Sequence, residues 1–424
     1  MISRKLFCVC IVGLIAQVQL VFGQTPILTT SGTPLTPKDS VRSVEKIDAF
    51  DVAADVLGLI FVRNKAKRPK EFLVDDNDTI IKNIFSILPT LQYNPATSLS
   101  AGAILNTAFY SGKARNTNLS SIHTEAAYTL NHQFTFTVRS IVWSPQNKFN
   151  FVGDWRYDRY PSYTYGLGDN SSKSNKTLLD FSYIRFYQTI FKAIAPGFFI
   201  GAGYNLDYRF NITESGNTSP TDYDRYSVGM SNKSISSGPT LNVLFDTRKN
   251  PNNPVKGAHY LNVTYRYNTV ALGSTNNWQA VIVDARKFIA FPANSTNILA
   301  LWSYNWFSFD GKTPYLDLPS NYWDTYENQG RGYVQGRFRS HSLVSIEAEY
   351  RFSITANKLF GGVVFTNAQS VPNWNTNTYG KVFPAAGVGL RIKVNKFTNT
   401  NLAIDYAIGI NGSQGVFFNL GEIF

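Results

Sequence analysis

One arginine in this sequence is placed for close contact with another part of the chain, in the run Gly330-Arg331-Gly332-Tyr333. Glycine has no side chain, so the residue beside it can approach a second surface closely. The planar guanidinium group of arginine forms its best hydrogen bonds with carboxylates. Glu347 and Glu349 lie two residues apart in a segment of alternating residues, and therefore on one face. We predict that Arg331 pairs with Glu347 or Glu349 and anchors its loop.

No catalytic or metal-binding pattern accompanies this arginine. The four histidines are scattered along the chain, at His123, His132, His259 and His341. The two cysteines, Cys8 and Cys10, both lie within the first 23 residues. The sequence has no phosphate loop, dinucleotide fingerprint or metal-ligand spacing. We predict a protein that is not an enzyme, with no cofactor and no metal. The alternative is a barrel hydrolase with a Ser/His or Asp/His pair near one rim.

The N-terminus has the features of a secretory signal. Arg4 and Lys5 precede an apolar run over residues 6–22, and small residues lie at the end of that run. We predict a signal peptide over residues 1–23. A linker over residues 24–84 follows, in which the apolar spacing of residues 44–62 permits a short amphipathic helix. Residues 85–424 then form the main domain.

The composition narrows the class of this domain. Of the 424 residues, 43% are hydrophobic and 16% are charged, whereas an average soluble domain has about 25% charged residues. The formal net charge is +12, but the basic residues are spread singly except in residues 63–70, so we predict no nucleic-acid partner. No run of 18 apolar residues follows the signal, which argues against a helical membrane protein. A secreted all-β protein and a membrane β-barrel remain.

Apolar and polar residues alternate along the main domain. For example, Phe134, Phe136 and Val138 share one face of a strand, and polar residues occupy the other. About 16 segments have this pattern and the length that a tilted membrane-spanning strand needs. They are residues 85–93, 99–110, 121–130, 133–143, 149–157, 178–191, 198–210, 239–248, 257–267, 278–290, 298–309, 341–353, 359–368, 382–394, 400–409 and 415–424.

The connections between these segments favour the barrel. Short connections, at 144–148, 192–197, 249–256, 291–297 and 354–358, alternate with the long ones at 158–177, 211–238 and 310–340. Bacterial outer-membrane barrels have short periplasmic turns and long external loops, whereas a soluble sandwich needs no such alternation. We predict a transmembrane antiparallel β-barrel of about 16 strands. It would lie in the bacterial outer membrane, in contact with lipid, with residues 24–84 in the periplasm.

Two further motifs lie at strand ends. The 249–256 turn contains or adjoins residues typical of a compact reversal, namely Asp246, Arg248, Asn250, Pro251, Pro254 and Gly257. The last segment alternates up to its end and places Phe418, Leu420 and Phe424 on one row, which Glu422 shares. It is similar to the C-terminal signal by which outer-membrane barrels are recognised for insertion. The barrel assembly machinery is therefore an expected partner during biogenesis.

Three motifs together resemble the BamA/TamA family, also called the bacterial surface antigen family. They are the 245–257 turn, the run at 330–333 with GRFR at 336–339, and EAEYRF at 347–352. The resemblance covers roughly residues 85–424. It implies an assembly or insertion factor for client outer-membrane proteins, with an inward-folded 310–340 loop and with first and last strands that pair weakly. The alternative is a passive outer-membrane pore.

Three departures from the family pattern affect this interpretation. Residues 24–84 are too few for one of the periplasmic POTRA modules that members usually carry. Asn367 and Gln369 replace an expected Asp and Gly, and Glu422 replaces an outward aromatic residue. These departures favour a divergent or accessory role in insertion or translocation.

The two ends of the sheet are expected to form the weakest pair. Closure of the barrel requires the segments 85–93 and 415–424 to pair. Pro89 has no N–H group to donate, and Gly415 and Gly421 contribute little packing. We therefore predict that any lateral opening of the barrel occurs at this seam.

Overall fold

The computed structural model describes residues 84–94, 98–113, 115–159, 161–215, 220–226, 232–248, 250–251, 253–395 and 399–424. The predicted signal peptide, and residues 24–83 of the predicted linker, lie outside the described residues. Within the described ranges, none of the helices has the length and apolar character needed to cross a bilayer. The helix α1 (Asp222–Arg225) has a single turn.

The fold is all-β and antiparallel, which confirms the predicted fold class. Sixteen strands of the described chain correspond to the predicted segments, and a seventeenth, β6, is a short strand within a loop. The strands are β1 (Ile84–Asn94), β2 (Ser98–Phe109), β3 (Ser120–Thr129), β4 (Phe134–Trp143), β5 (Phe149–Arg159), β6 (Ser162–Thr164), β7 (Thr177–Ala195), β8 (Phe198–Ser215), β9 (Lys233–Asp246), β10 (His259–Asn268), β11 (Trp278–Ala290), β12 (Ile298–Phe309), β13 (Ser342–Ser353), β14 (Phe360–Ser370), β15 (Phe383–Asn395), β16 (Thr400–Gly409) and β17 (Gln414–Leu420).

The two faces of the sheet differ in character. Apolar side chains are exposed on the outer face, where Trp155 and Phe186 stack with ring centroids 5.8 Å apart. Charged side chains pair on the inner face, as Asp154 and Arg156 do. An apolar exterior with a polar interior is the arrangement that a membrane-spanning barrel requires.

The connections lie at two ends of the sheet with different lengths. We call these the long-loop end, which holds residues 161–176, 220–226, 310–341 and 371–382, and the short-turn end, which holds residues 196–197, 247–248, 250–251, 253–258 and 291–297. One predicted loop is too long. Residues 211–215 and 233–238 belong to β8 and β9, because their backbone groups pair with neighbouring strands although their side chains are largely polar.

The predicted pairing of the first and last strands is wrong. The sheet curves until Cα atoms of β1 and β17 lie within 8 Å of each other, but no ladder joins the two strands in the described part of the chain. β17 has only 7 residues and pairs with β16. The chain leaves the strand at Gly421, which has φ +106° and turns the remaining residues inward. The sheet therefore keeps a seam between β1 and β17.

Candidate functional site

The connection between β12 and β13, residues 310–341, folds into the interior of the sheet, and we call it the inserted loop. Its first part packs in an apolar cluster with residues from the other long loops. Tyr315 lies in that cluster with its ring 5.1 Å from Tyr223 and 5.6 Å from Tyr226, and all three residues are buried. The Tyr226 hydroxyl donates a hydrogen bond of 2.6 Å to the carbonyl of Thr313. The first part of the inserted loop is therefore held by contacts with the other long loops and by a hydrogen bond from Tyr226.

Arg331 lies at the innermost part of the inserted loop and is fully buried. Its guanidinium donates to carboxylates on two different strands. Nη2 donates to Glu347 and, at 2.6 Å, to Glu349, both on β13, and Nη1 donates to Asp405 on β16. Burial by itself would lower the pKa of Arg331, but the three carboxylates raise it well above its ordinary value. The group is thus a buried permanent cation.

A second layer of charges surrounds these carboxylates. Arg351 donates to Glu349 at 2.7 Å, and Arg391 donates to Asp405 at 2.5 Å and to Glu422 at 2.8 Å. We call the whole group the anchor cluster, which consists of Arg331, Arg351, Arg391, Glu347, Glu349, Asp405 and Glu422. The cluster joins the inserted loop to β13, β15, β16 and the chain after β17. Three buried guanidinium groups thus face four buried carboxyl groups.

Sequence reasoning missed Asp405 and Arg391 as members of this cluster. Both lie on inward-facing positions of alternating strands, which was the only available sign of their place. The pairing partner on β14 expected from the family pattern is absent, because Asn367 is neutral. Its side-chain nitrogen instead donates to the carbonyl of Arg331 at 2.9 Å. Asp405 therefore contributes a third carboxylate from β16, a strand that the sequence predicts without indicating its contact with Arg331.

The residues beside Arg331 have the conformations that close contact demands. Gly330 and Gly332 have φ values of +88° and +101°, which are unfavourable for residues with side chains. A Cβ atom at Gly332 would lie 2.7 Å from the Cβ of Ala385. The hydroxyl of Tyr333 donates to the carbonyl of Pro384 at 2.6 Å. The run at 330–333 is therefore seated directly on the inner wall.

The inserted loop also contacts the opposite wall. Arg156 on β5 donates to the carboxylate of Glu327 at 2.7 Å and to the carbonyl of Thr325 at 2.6 Å. Arg139 on β4 donates to the same carbonyl at 3.3 Å. Residues 325–331 thus cross the interior from β4 and β5 to β13 and β16.

The GRFR segment of the inserted loop binds main-chain oxygens. Arg339 is buried and donates to the carbonyls of Tyr315 and Leu318 at 2.9 and 3.4 Å. Burial lowers the pKa of Arg339 to about 10. Arg337 donates to the side chain and to the carbonyl of Ser171 in the 160–176 loop, both at 2.9 Å. These arginines tie the inserted loop to itself and to a neighbouring loop.

The predicted C-terminal signal is divided between two faces, which corrects the expected single row. Phe418 and Leu420 are exposed on the outer face, but Phe424 is buried inside. The ring of Phe424 stacks 5.0 Å from Trp302, and its main-chain oxygen accepts a hydrogen bond from Arg351 at 2.9 Å. The inward turn also removes Glu422 from the outer face, where a carboxylate would meet lipid, and places it in the anchor cluster.

The predicted turn motif lies at the short-turn end, between β9 and β10. Asp246 binds Arg248 through two side-chain hydrogen bonds of 2.9 and 3.0 Å, and the guanidinium lies 3.9 Å from the ring centre of Tyr260. Gly257 has φ +82°, and its N–H donates to the carbonyl of Phe288 at 2.7 Å. Of the remaining members, Pro254 is buried, Pro251 is exposed, and Asn250 takes part in a polar interaction.

Metal ligands are not grouped in the described ranges, where no three residues among His, Cys, Asp and Glu could hold an ion. The acidic residues of the anchor cluster are instead bound by arginines.

No protein-family model matches this sequence, and no curated protein matches it. Solved structures do match. BamA from Haemophilus ducreyi lacking POTRA domains 1–3 has a TM-score of 0.52 and 14% identity, over 80% of this chain and 70% of that chain. CdiB from Acinetobacter baumannii has a TM-score of 0.50 and 10% identity, over 81% of this chain and 60% of that one. CdiB from Escherichia coli has a TM-score of 0.51 and 9% identity, over 79% and 62%. This chain therefore spans less than two thirds of the CdiB chains, and it shares the barrel fold of BamA and CdiB.

Proposed function

We propose that this chain is an integral barrel of the bacterial outer membrane with a divergent or accessory role in inserting or translocating other outer-membrane proteins. The observation that carries the proposal is the seam. β1 and β17 lie side by side without a ladder between them in the described part of the chain. Unpaired backbone groups are costly in lipid, and an edge strand is a template for another strand. A client strand could therefore pair at this seam.

The fold supports the same proposal. BamA and CdiB share this architecture, and the resemblance to the BamA/TamA family rests on motifs that the structure places at an anchored inserted loop and a compact turn. The outer face is apolar and the inner face charged, which suits lipid on the outside. The partners in this proposal are outer-membrane lipid, the barrel assembly machinery during biogenesis, and client outer-membrane proteins.

A passive outer-membrane pore is the second candidate. Residues 325–331 contact both walls and fill the interior between them, so the wide aqueous channel of a porin is disfavoured.

Reconstitution tests the proposal. The purified chain is placed in phospholipid vesicles, and a urea-unfolded outer-membrane barrel of about eight strands is diluted into them. The folded fraction is followed by its altered gel mobility without heating. We expect faster folding than in protein-free vesicles and in vesicles that hold an unrelated barrel of similar size. Equal rates in all three would contradict an assembly role.

A further inference from the structure

Exposed lysines line the short-turn end. Two of them lie near the ends of β7 and β11, and the other three lie in connections between strands. The connections at 144–148 and 354–359 belong to this end, because neighbouring antiparallel strands leave them opposite the long loops at 161–176 and 310–341. We call the set the basic rim, which consists of Lys148, Lys192, Lys256, Lys287 and Lys358.

Acidic residues do not balance the basic rim. The connections at this end contain no Asp or Glu among their described residues, over 144–148, 196–197, 247–258, 291–297 and 354–359. Asp246 and Asp284 lie close by along the chain, but Arg248 and Arg286 bind them at 2.9 and 2.6 Å. The described part of the short-turn end therefore carries an excess of positive charge.

Two lysines of the rim project from the outer, apolar face of the sheet. Register places Lys192 opposite Phe149 on β5 and Ile200 on β8, which are 39% and 50% exposed. Lys287 follows Arg286, which is buried on the inner face, so the side chain of Lys287 points outward. A charged group is costly in the hydrocarbon of a bilayer, and a lysine near its edge extends its ammonium group to the headgroups.

Lys192 has a second lysine beside it. The N–H of Ala193 on β7 donates to the carbonyl of Lys148 at 2.9 Å, so Lys148 and Lys192 are neighbours on adjacent chain segments. Like charges that lie beside each other on neighbouring strands repel. An anion bound by both ammonium groups would remove this repulsion.

Lys287 belongs to a second basic group. Register places it directly opposite His259 on β10, and both side chains are exposed. The N–H of Gly257 donates to the carbonyl of Phe288 at 2.7 Å, which brings the exposed Lys256 close to the same strand ends. Two ammonium groups and an imidazole thus lie together, and they offer the donors that phosphate oxygens accept.

We propose that the basic rim binds the phosphate groups of anionic phospholipids in the leaflet that contacts the short-turn end. Contacts should be strongest at Lys148 with Lys192 and at Lys256 with His259 and Lys287. Each lysine near an anionic membrane surface typically raises affinity about fivefold. Lipid is favoured over an acidic protein because Lys192 and Lys287 project from the face that meets the bilayer. This inference rests on the proposed membrane location and not on the assembly role.

Spin-labelled lipids test the proposal. The purified full chain is reconstituted in phosphatidylcholine bilayers that contain a trace of spin-labelled phosphatidylglycerol or phosphatidylcholine. The motionally restricted part of the electron paramagnetic resonance spectrum measures the fraction of each lipid at the barrel surface. We expect a larger restricted fraction for phosphatidylglycerol, with a difference that decreases as KCl is added because salt screens the charges. No client barrel is present, so the outcome is independent of the proposed assembly role.

Two triple variants with the same change in net charge locate the effect. Lys192→Gln with Lys256→Gln and Lys287→Gln should lose the preference for phosphatidylglycerol while keeping the folded gel mobility. Lys173→Gln with Arg225→Gln and Lys312→Gln changes exposed positions at the long-loop end and should keep the preference.

Three results would overturn the proposal. The first is an equal restricted fraction of both lipids in the wild type, which would leave the basic rim to a different acidic partner. The second is an equal preference in the two folded triple variants. The third is a greater loss of preference in potassium phosphate than in KCl of the same ionic strength, which would indicate a site for free phosphate and not for a bilayer lipid.

Discussion

Arg331 is the residue on which the inserted loop depends most directly. Its guanidinium is fully buried and donates to Glu347, Glu349 and Asp405. Removal of one partner from a buried ion pair leaves the other charge uncompensated, which typically costs about 3–5 kcal/mol. Arg331→Gln should therefore lower the temperature at which the folded gel mobility is lost and should expose the loop to added protease. The control Arg225→Gln removes an arginine that is 67% exposed and should have no effect. Equal stability of the two variants would contradict the anchoring role.

The two glutamates of β13 are expected to differ in importance. Glu349 contacts three arginines, at 2.6 Å for Arg331, 2.7 Å for Arg351 and 3.5 Å for Arg391, whereas Glu347 pairs with one arginine, Arg331, in the described part of the chain. Glu349→Gln should therefore lower the unfolding temperature more than Glu347→Gln, since it leaves more positive charge uncompensated. Thermal unfolding in one detergent checks the order. A larger decrease for Glu347→Gln would show that the number of arginine contacts does not determine how much each glutamate stabilises the anchor cluster.

At the residue scale, the glycines beside Arg331 and the shared face of Glu347 and Glu349 were enough to predict that this arginine pairs with one of the two glutamates. Asp405 could not be identified as a partner, because it lies 74 residues further along the chain and only the curvature of the sheet brings it close. Alternation indicated its face but not its neighbour. The same limit applies to Arg156 and Glu327, which join opposite walls across 171 residues.

The C-terminal segment shows that the path of a chain can depart from its pattern. Phe424 packs on Trp302 inside the barrel, whereas Phe418 is 41% exposed on the outer face. Truncation of a fully buried Phe typically costs about 3–5 kcal/mol. Phe424→Ala should therefore lower the unfolding temperature in detergent clearly more than Phe418→Ala. A larger drop in unfolding temperature for Phe418→Ala would contradict the inward turn at Gly421 and the burial of Phe424.

At the element scale, alternation predicted strands well and strand ends poorly. Most predicted segments agree with the observed strands to within a few residues, because one face meets an apolar and the other a polar environment. β7 and β8 extend beyond their predicted ends, because backbone pairing continues where the apolar and polar alternation stops. At β17 the period predicted a longer strand, but Gly421 adopts φ +106° and ends it. The alternation of apolar and polar residues does not indicate where a glycine adopts a positive φ, so it does not predict this strand end.

For the whole molecule, the lengths of the connections predict which end faces the cell exterior. Outer-membrane barrels place long loops outside and short turns in the periplasm. Thr376→Cys lies at the long-loop end and Lys256→Cys at the short-turn end, and both positions are exposed. In a background with Cys8→Ser and Cys10→Ser, an impermeant thiol reagent should label only the first variant on intact cells and both after lysis. Labelling of only Lys256→Cys on intact cells would invert the topology.

We propose that the unpaired seam between β1 and β17 serves client insertion. Ile87 is exposed on β1. On β17, Val416, Phe418 and Leu420 alternate along the outer face, and the side chains of Phe418 and Leu420 are exposed there. In the same cysteine-free background, Ile87→Cys is combined with a cysteine at each of the three β17 positions, and the pair that forms a disulfide is reconstituted in vesicles.

The decisive measurement is the folding rate of the second barrel in vesicles that contain the locked chain, before and after reduction of that disulfide. We expect the locked chain to lose its acceleration of folding and reduction to restore it, since only an open seam offers strand edges to a client. A locked chain that accelerates folding as fully as the reduced one would contradict the claim.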